Sequence, residues 1–184
     1  MKLEDIDVKR VLEEYKNYDW IIQGAGLLRT YLDGEGAFRL HLWSPDIKIP
    51  GLEYIHTHRW DFVSRVIAGK LTNVHYADHP HPDGEFVKEA ITPDGVVIGF
   101  PERCRLERYA RRTHNAGDQY YEQAEVVHTV RLTEKCITVI HRRNFHNKPV
   151  YSFRHINEGW ANAKARPASK IDLEHYIPQF KEMI

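Results

Sequence analysis

Two histidines, His56 and His58, lie at the end of an apolar run in the segment Gly51 to Gly69, with one residue between them. Side chains at positions i and i+2 of a β-strand point to the same face, about 6.5 Å apart. Two imidazoles placed in this way can converge on one metal ion. A further histidine, His128, ends another strand-like run downstream. Three neutral imidazoles that leave coordination positions open form a site for a metal that binds a substrate and O₂.

Chance accounts for some close histidine pairs, because the chain has 12 histidines among 184 residues. A second pair, His79 and His81, lies in the segment ADHPHPDGE. Proline and aspartate favour a turn there, so we do not expect this pair to bind metal. Asp61 follows His58 closely and is a candidate ligand or a partner of a ligand. The alternative is a solvated carboxylate in a turn.

The composition is that of a globular protein with balanced charge. Its 184 residues suffice for one domain with a sizeable core. Lys+Arg and Asp+Glu number 26 each, which disfavours nucleic-acid binding because that class carries a basic excess. Only two cysteines occur, Cys104 and Cys136, which suits a reducing cytoplasm. The N-terminus does not have the pattern of a signal peptide, and no apolar run approaches the length of a membrane span.

Periodicity changes along the N-terminal part of the chain. Residues 3–17 carry apolar side chains at helical spacing and predict an amphipathic helix. Residues 20–31 include two glycines and fit either a second short helix or a loop. After a turn at 33–36, residues 38–43 alternate apolar side chains with arginine, histidine and tryptophan. That alternation predicts a strand.

Many short strands with frequent turns follow, and they predict an all-β barrel or jelly roll in a single domain. Gly69 is expected to form a tight turn between two of these strands. Residues 171–184 are expected to form a C-terminal helix that is broken near Pro178. The remaining expected elements are strands at 52–58, 62–68, 70–75, 86–92, 96–100, 136–141 and 150–153, irregular segments at 77–85 and 156–170, and turns at 92–95 and 115–118.

The order of these motifs resembles the metal-binding pattern of the cupin superfamily. The chain has a strand, His-x-His, a strand, a glycine, a strand, Gly-Asp-x-Tyr and then a lone histidine. Ordinary cupins add a glutamate shortly after the second histidine, where this chain has Phe62 and Val63. In lacking that carboxylate, the chain is similar to thiol dioxygenases of the cysteine dioxygenase type, which bind Fe(II) through histidines alone. The similarity covers about residues 27–143.

The resemblance implies a cupin-type double-stranded β-helix, that is, a jelly-roll barrel with N-terminal helices and a short C-terminal helix. The single domain, residues 1–184, would contain a helical segment over about 1–32, the barrel over about 36–155 and a tail over 156–184.

The resemblance also implies roles for particular residues. The Fe(II) ligands would be His56, His58 and His128. Arg29 would hold the carboxylate of the substrate, with an ordinary surface arginine as the alternative. His141 would match a catalytic histidine near the iron.

Three other arginines, Arg59, Arg142 and Arg143, are interpreted as exposed or ion-paired, although one of them could supplement Arg29. The family's cysteine–tyrosine crosslink would need positions that are Val63 and Arg143 in this chain, so both of its members are absent.

The function implied by the resemblance is a non-haem Fe(II) dioxygenase that oxidises a small thiol, with a thiol carboxylate expected, to its sulfinate with O₂. Its partners would be a small-molecule substrate and O₂, without nucleic acid or membrane, and it would be a monomer or homodimer. One alternative is another metal-dependent cupin enzyme, such as a different dioxygenase or an isomerase. The other is a non-catalytic cupin that binds a small ligand.

Overall fold

The computed structural model describes residues 2–48, 54–92, 96–157 and 165–184. The predicted all-β class is confirmed, because antiparallel strands form the body of the chain and the helices are short. The strands are β1 (Trp20–Gln23), β2 (Leu27–Tyr31), β3 (Phe38–Trp43), β4 (Ile55–His56), β5 (Asp61–Pro80), β6 (Phe86–Ile91), β7 (Val97–Asn115), β8 (Gln119–Glu122), β9 (Val127–Arg131), β10 (Cys136–Arg143), β11 (Val150–His155) and β12 (Arg166–Pro167). The α-helices are α1 (Val8–Glu13) and α2 (Lys170–Lys181), and 3₁₀ turns lie at Leu3–Asp5, Tyr15–Asn17 and Pro45–Ile47.

Two antiparallel sheets share strand β5. The first sheet has the order β12-β1-β2-β3-β10-β5, and β8 pairs with the same half of β5. The second has the order β5-β7-β6-β11-β4-β9, and β9 pairs with β5 again, so this ring of strands closes. Two antiparallel sheets joined in this way are consistent with the expected jelly-roll barrel.

Strand β5 runs without a break from Asp61 to Pro80, so the tight turn predicted at Gly69 is wrong. Gly69 has φ +71° and lies beside a register shift in the pairing with β10, so the strand bends there instead of reversing. A β-carbon on Gly69 would lie 2.1 Å from the carbonyl oxygen of Lys135. Only glycine therefore fits at this crossing, the point where β5 passes from the first sheet to the second. The irregular segment predicted at 77–85 accordingly begins only after Pro80.

Residues 20–31 form a hairpin of β1 and β2, so the alternatives of a helix and a loop are both wrong. Burial alternates along β1, beginning with the buried side chain of Trp20, and this period of two belongs to a strand. Gly26 has φ +95° at the turn between the two strands, a conformation that glycine adopts without strain. The N-terminal helical segment therefore ends at Asn17.

The helical structure predicted over 3–17 is confirmed, but it is divided into α1 and two 3₁₀ turns. The division follows from Asp7, whose carboxylate accepts a hydrogen bond from the backbone N–H of Arg10 at 3.0 Å and so begins α1 there. The helix buries Val11 and Leu12 against the rest of the chain.

The C-terminal helix is confirmed, but it continues through Pro178 instead of breaking there. It begins at a cap in which the Ser169 hydroxyl accepts a hydrogen bond from a backbone N–H. Ile177 and Phe180, one on each side of the proline, are both fully buried, and this packing holds the last turn in place. Within the described parts of the chain, no helix is long and apolar enough to cross a membrane.

The main hydrophobic core lies between the first sheet and the two helices. Apolar side chains of β3 and β10 form the sheet's contribution, namely Phe38, Leu40, Leu42, Ile137 and Val139. Side chains alternate along a strand, so the intervening residues and their cross-strand partners share the opposite face. We call this the inner face; it carries Arg29, Tyr31, Arg39, His41, Trp43, Phe62, Thr138 and Arg142.

The strands predicted at 38–43, 86–92, 136–141 and 150–153 are confirmed, with β10 and β11 slightly longer than expected. The strand predicted at 96–100 is the beginning of the much longer β7. Of the strand predicted at 52–58, residues 52 and 53 lie outside the described residues, and Ile55–His56 form β4. Within the turn predicted at 92–95, residues 93–95 lie outside the described residues, and so do 158–164 of the irregular segment 156–170.

Replacing Gly69 with alanine should strongly destabilise the protein, since the new β-carbon would collide with the backbone of Lys135. Left-handed backbone alone costs about 1 kcal/mol or more for a non-glycine residue, and the collision should raise the loss of unfolding free energy to about 3 kcal/mol or more. Gly99→Ala is the matched control, because Gly99 has φ +75° and, among the residues that the structure describes, no heavy atom within 4 Å of an added β-carbon. Chemical denaturation should show a larger loss of unfolding free energy for Gly69→Ala than for Gly99→Ala. Equal losses would show that the crossing does not require glycine.

Candidate metal centre

The three histidines singled out in the sequence come together where β4 pairs with β9. His56 in β4 lies directly opposite His128 in β9, so their side chains share a face. His58 follows β4, and its backbone N–H donates to the carbonyl of Ala124 at 2.7 Å. Between the two ligand candidates, the buried Thr57 hydroxyl accepts a hydrogen bond from the backbone N–H of Tyr151 at 2.9 Å. These bonds fix the segment that carries both imidazoles.

The imidazoles of His56, His58 and His128 are close enough to share one ion. One nitrogen of each lies within 4.8 Å of the other two, and the Nε2 atoms of His58 and His128 are 2.8 Å apart. Nitrogens that coordinate one metal at about 2.1 Å lie about 3 Å or slightly more from one another. The three side chains therefore fit a divalent metal.

Loss of contact with water favours the neutral form of these imidazoles, of which His128 is buried and His56 and His58 are partly buried. It lowers the pKa of His56 to about 4. It is also the first cause of the lowered pKa of His58 and of His128, followed by the charges of the neighbouring histidines. Neutral imidazole is the form that coordinates a metal, so at neutral pH no proton competes strongly for the site.

A second group capable of holding a metal consists of His75, Glu122 and His128. The His75 Nε2 and Glu122 Oε2 atoms are 2.8 Å apart, and both side chains are buried. This imidazole and carboxylate already satisfy each other by a hydrogen bond, so their burial needs no ion. The sequence analysis missed the pair; the cross-strand register that places His75 beside His128 comes only from the pairing of β5 with β9.

Asp61, considered as a ligand candidate, instead ties neighbouring segments together. Its carboxylate accepts hydrogen bonds from the Tyr121 hydroxyl at 2.6 Å, the Asn144 side-chain amide at 2.8 Å and the backbone N–H of Ala124 at 2.8 Å. Because Ala124 also accepts the bond from His58, Asp61 supports the segment that carries a ligand candidate without reaching the metal group itself.

The pair His79 and His81 lies elsewhere on the chain. His79 is near the end of β5 with its Nε2 3.4 Å from a carboxylate oxygen of Glu107, and both side chains are largely exposed. The Nδ1 of His81 accepts a hydrogen bond from the backbone N–H of Asp83 at 3.1 Å. Within the described parts of the chain, neither residue belongs to a group that could hold a metal.

The structure does not bring His141 together with the three histidines. Its ring stacks on Phe38 with centroids 4.2 Å apart, and its Nδ1 accepts a hydrogen bond from Arg143 Nε at 3.0 Å. Phe38 belongs to the core between the sheet and the helices, so His141 lies on that face of β10. The next residue, Arg142, lies on the inner face, opposite Phe62.

Arg29 lies on the inner face, directly opposite His41. Its Nη1 donates to the Tyr31 hydroxyl at 3.4 Å. Arg39 lies on the same face of this sheet, and its guanidinium carbon is 5.0 Å from the centroid of Trp60. Arg29 therefore shares a face with an arginine that lies beside the residues flanking the metal group.

Two further arginines face the same region: Arg142, which the sequence offered as a possible supplement to Arg29, and Arg39, which it did not single out. The guanidinium carbons of Arg39 and Arg142 lie 5.0 and 5.3 Å from the centroid of Trp60, whose ring is 4.5 Å from that of His58. Arg142 had been interpreted as exposed or ion-paired, but it is half-buried. The alternation of arginine and histidine with leucine in β3 was the available signal for Arg39.

Comparison with known proteins yields only distant structural similarity. No protein-family model matches the chain, and no curated protein matches it. An RmlC-like cupin from Shewanella frigidimarina is 18% identical, with a TM-score of 0.36, 74% of this chain covered and 85% of that one. A cupin-like protein from Thermotoga maritima is 11% identical, with a TM-score of 0.36, 85% of this chain covered and 87% of that one. Drosophila melanogaster CENP-C bound to CAL1 is 8% identical, with a TM-score of 0.38, 76% of this chain covered and 98% of that one.

The metal content of variants should show which of the two candidate groups binds the ion. His56→Ala and His58→Ala should each weaken metal affinity by more than about 100-fold, because loss of a direct ligand costs more than loss of a residue that only supports one. Glu122→Gln should retain the metal. His128 belongs to both groups, so its replacement is not diagnostic. Elemental analysis of purified, reconstituted protein gives the measurement.

His79→Ala is the matched control and should bind metal like the wild type, with circular dichroism confirming that all variants are folded. Retention of metal by His56→Ala together with its loss from Glu122→Gln would place the ion in the second group.

Proposed function

We propose that this chain is a non-haem Fe(II) dioxygenase of the cysteine dioxygenase-like type, which oxidises a small thiol carboxylate to its sulfinate with O₂. The observation that carries the proposal is the convergence of three imidazoles, from His56, His58 and His128. A histidine-only ligand set leaves coordination positions open for substrate and O₂.

In this proposal the neutral imidazoles of His56, His58 and His128 would hold Fe(II). When bound, the ion would supply a centre that favours the thiolate form of the substrate and allows O₂ to react with the sulfur. The overall reaction consumes one thiol and one O₂ and gives one sulfinate and one proton. The sulfur is oxidised, O₂ is reduced, and both oxygen atoms end on the product.

The chain's own residues orient the substrate and limit access of water. Arg29 would hold the substrate carboxylate through paired N–H groups, which fixes the direction from the acid to the thiol. Trp60 and Phe62 pack against His58 with ring centroids 4.5 and 5.2 Å away. Their apolar rings cover one side of the metal group and would exclude water from it.

This function requires a small molecule and O₂ as partners and neither nucleic acid nor membrane, and a monomer or homodimer would suffice for it. The direct test is anaerobic loading with Fe(II), followed by measurement of O₂ uptake against a panel of small thiols. We expect uptake with a thiol carboxylate and formation of an equal amount of sulfinate. Full metal loading without O₂ uptake would favour the non-catalytic cupin, and turnover of a substrate without a thiol would favour another metal-dependent enzyme.

Substrate selection should depend on Arg29. Arg29→Ala should lower kcat/KM for a thiol carboxylate by about 30-fold or more, because a desolvated carboxylate would lose its partner. The kcat/KM of Arg29→Lys should lie between those of the wild type and Arg29→Ala, because lysine keeps the charge but loses the forked geometry. The matching thiol without a carboxylate should be affected little.

Arg143→Ala is the control for this series, because Arg143 is exposed and contacts His141 on the other side of β10. If wild type uses the acid and the matching neutral thiol equally well, or if Arg29→Ala leaves their ratio unchanged, Arg29 has no part in substrate selection.

A further inference from the structure

Positive charge is concentrated on the inner face around the ring of Tyr31. The guanidinium carbons of Arg29, Arg39 and Arg142 lie 5.7, 4.7 and 5.5 Å from the centroid of that ring. They come from three different strands, β2, β3 and β10, whose register brings them to one place. We call these three residues the arginine cluster.

The arginine cluster lacks a directly paired counter-charge within the described parts of the chain, because none of its members forms an ion pair with a carboxylate there. The acid whose charge acts on Arg142 is Asp33. Its two carboxylate oxygens accept hydrogen bonds from the backbone N–H groups of Ala37 and Phe38, each at 3.2 Å, so Asp33 is already engaged in the turn before β3.

The cluster also retains unused hydrogen-bond donors. The Nε atoms of Arg39 and Arg142 are buried and have no partner among the described residues. The Tyr31 hydroxyl accepts from Arg39 at 2.9 Å and from Arg29 at 3.4 Å, but a neutral phenol cannot balance the charges around it. Burial, followed by the charges of Arg29 and Arg142, lowers the pKa of Arg39 to about 9. Like charges and unpaired donors held together in this way are costly without an anion between them.

The position of the cluster connects it to the metal group. Arg39 and Arg142 both lie against Trp60, and Trp60 packs on His58. In addition, the buried imidazole of His41, opposite Arg29, has no hydrogen-bond partner for either nitrogen within the described part of the chain. A polar ligand that reaches from the cluster towards the histidines would meet donors along its length.

We propose that Arg29, Arg39 and Arg142 together bind a dianionic group, so that the molecule held beside the three histidines carries a phosphate or a pair of carboxylates rather than a single carboxylate. A single carboxylate is satisfied by one guanidinium fork, which would leave the other two arginines uncompensated. Identification of this molecule as the substrate rests on the proposed function. Binding of the anion does not, because it requires neither metal nor turnover.

The test is calorimetric titration of the metal-free protein with inorganic phosphate, malonate and acetate at constant ionic strength. Phosphate or malonate should bind at least about tenfold more tightly than acetate, because only a dianion uses more than one guanidinium. A preference for phosphate would indicate a phosphate ester, and a preference for malonate would indicate a dicarboxylate. Equal or weaker binding of both dianions relative to acetate would overturn the proposal.

Substitutions in the arginine cluster test whether the dianion binds there. Arg39→Gln and Arg142→Gln should each weaken binding of the preferred dianion by about tenfold or more, since each removes a charge-assisted hydrogen bond. Arg143→Gln is the control, because it changes the neighbouring exposed arginine. Should Arg39→Gln fail to fold, Arg142→Gln alone decides, and unchanged affinity in Arg142→Gln would also overturn the proposal. Dianion binding without O₂ uptake by the iron-loaded protein would leave this inference standing while contradicting the proposed dioxygenase.

Discussion

Strand β5 crosses from one sheet to the other at Gly69, and the arrangement of the site depends on this crossing. Before the bend, β5 places Phe62 on the inner face, opposite Arg142. After the bend, it places His75 beside His128 in the second sheet. The close approach to the Lys135 carbonyl makes a side chain at Gly69 incompatible with the crossing. One strand therefore joins the histidine-bearing sheet to the arginine-bearing sheet.

The helices determine which face of the first sheet is available for chemistry. They cover the leucine-bearing face of β3 and bury Leu40 and Leu42, so the main core lies outside the sheet rather than between the sheets. The alternating positions Arg39 and His41 are consequently directed to the inner face. Partly buried polar groups on this face are costly unless they find partners, and this cost is the physical ground for the proposed anionic ligand.

The sequence could predict features that depend on local periodicity. The spacing of His56 and His58 defines their common face in a strand, and β3 follows from its alternation. A glycine with positive φ suits a turn and a bend equally well, so the role of Gly69 depended on the pairing of β5 with distant strands. The alternation in β3 could show that Arg39 and His41 share a face, but which face of β3 is the inner one depends on helix packing and was not available from the sequence. His141 was expected near the metal from the family resemblance alone, and the structure places it on the opposite face of β10, against Phe38.

The proposed metal ion binds through three imidazoles on the wall formed by β4 and β9. X-ray absorption spectroscopy of stoichiometrically zinc-loaded protein tests this most directly, because scattering from imidazole rings indicates the number of histidine ligands. We expect three histidine nitrogens at about 2.0–2.1 Å, with a spectrum unchanged by Glu122→Gln. A first shell with two or fewer histidines, or one that loses a carboxylate oxygen in Glu122→Gln, would contradict it.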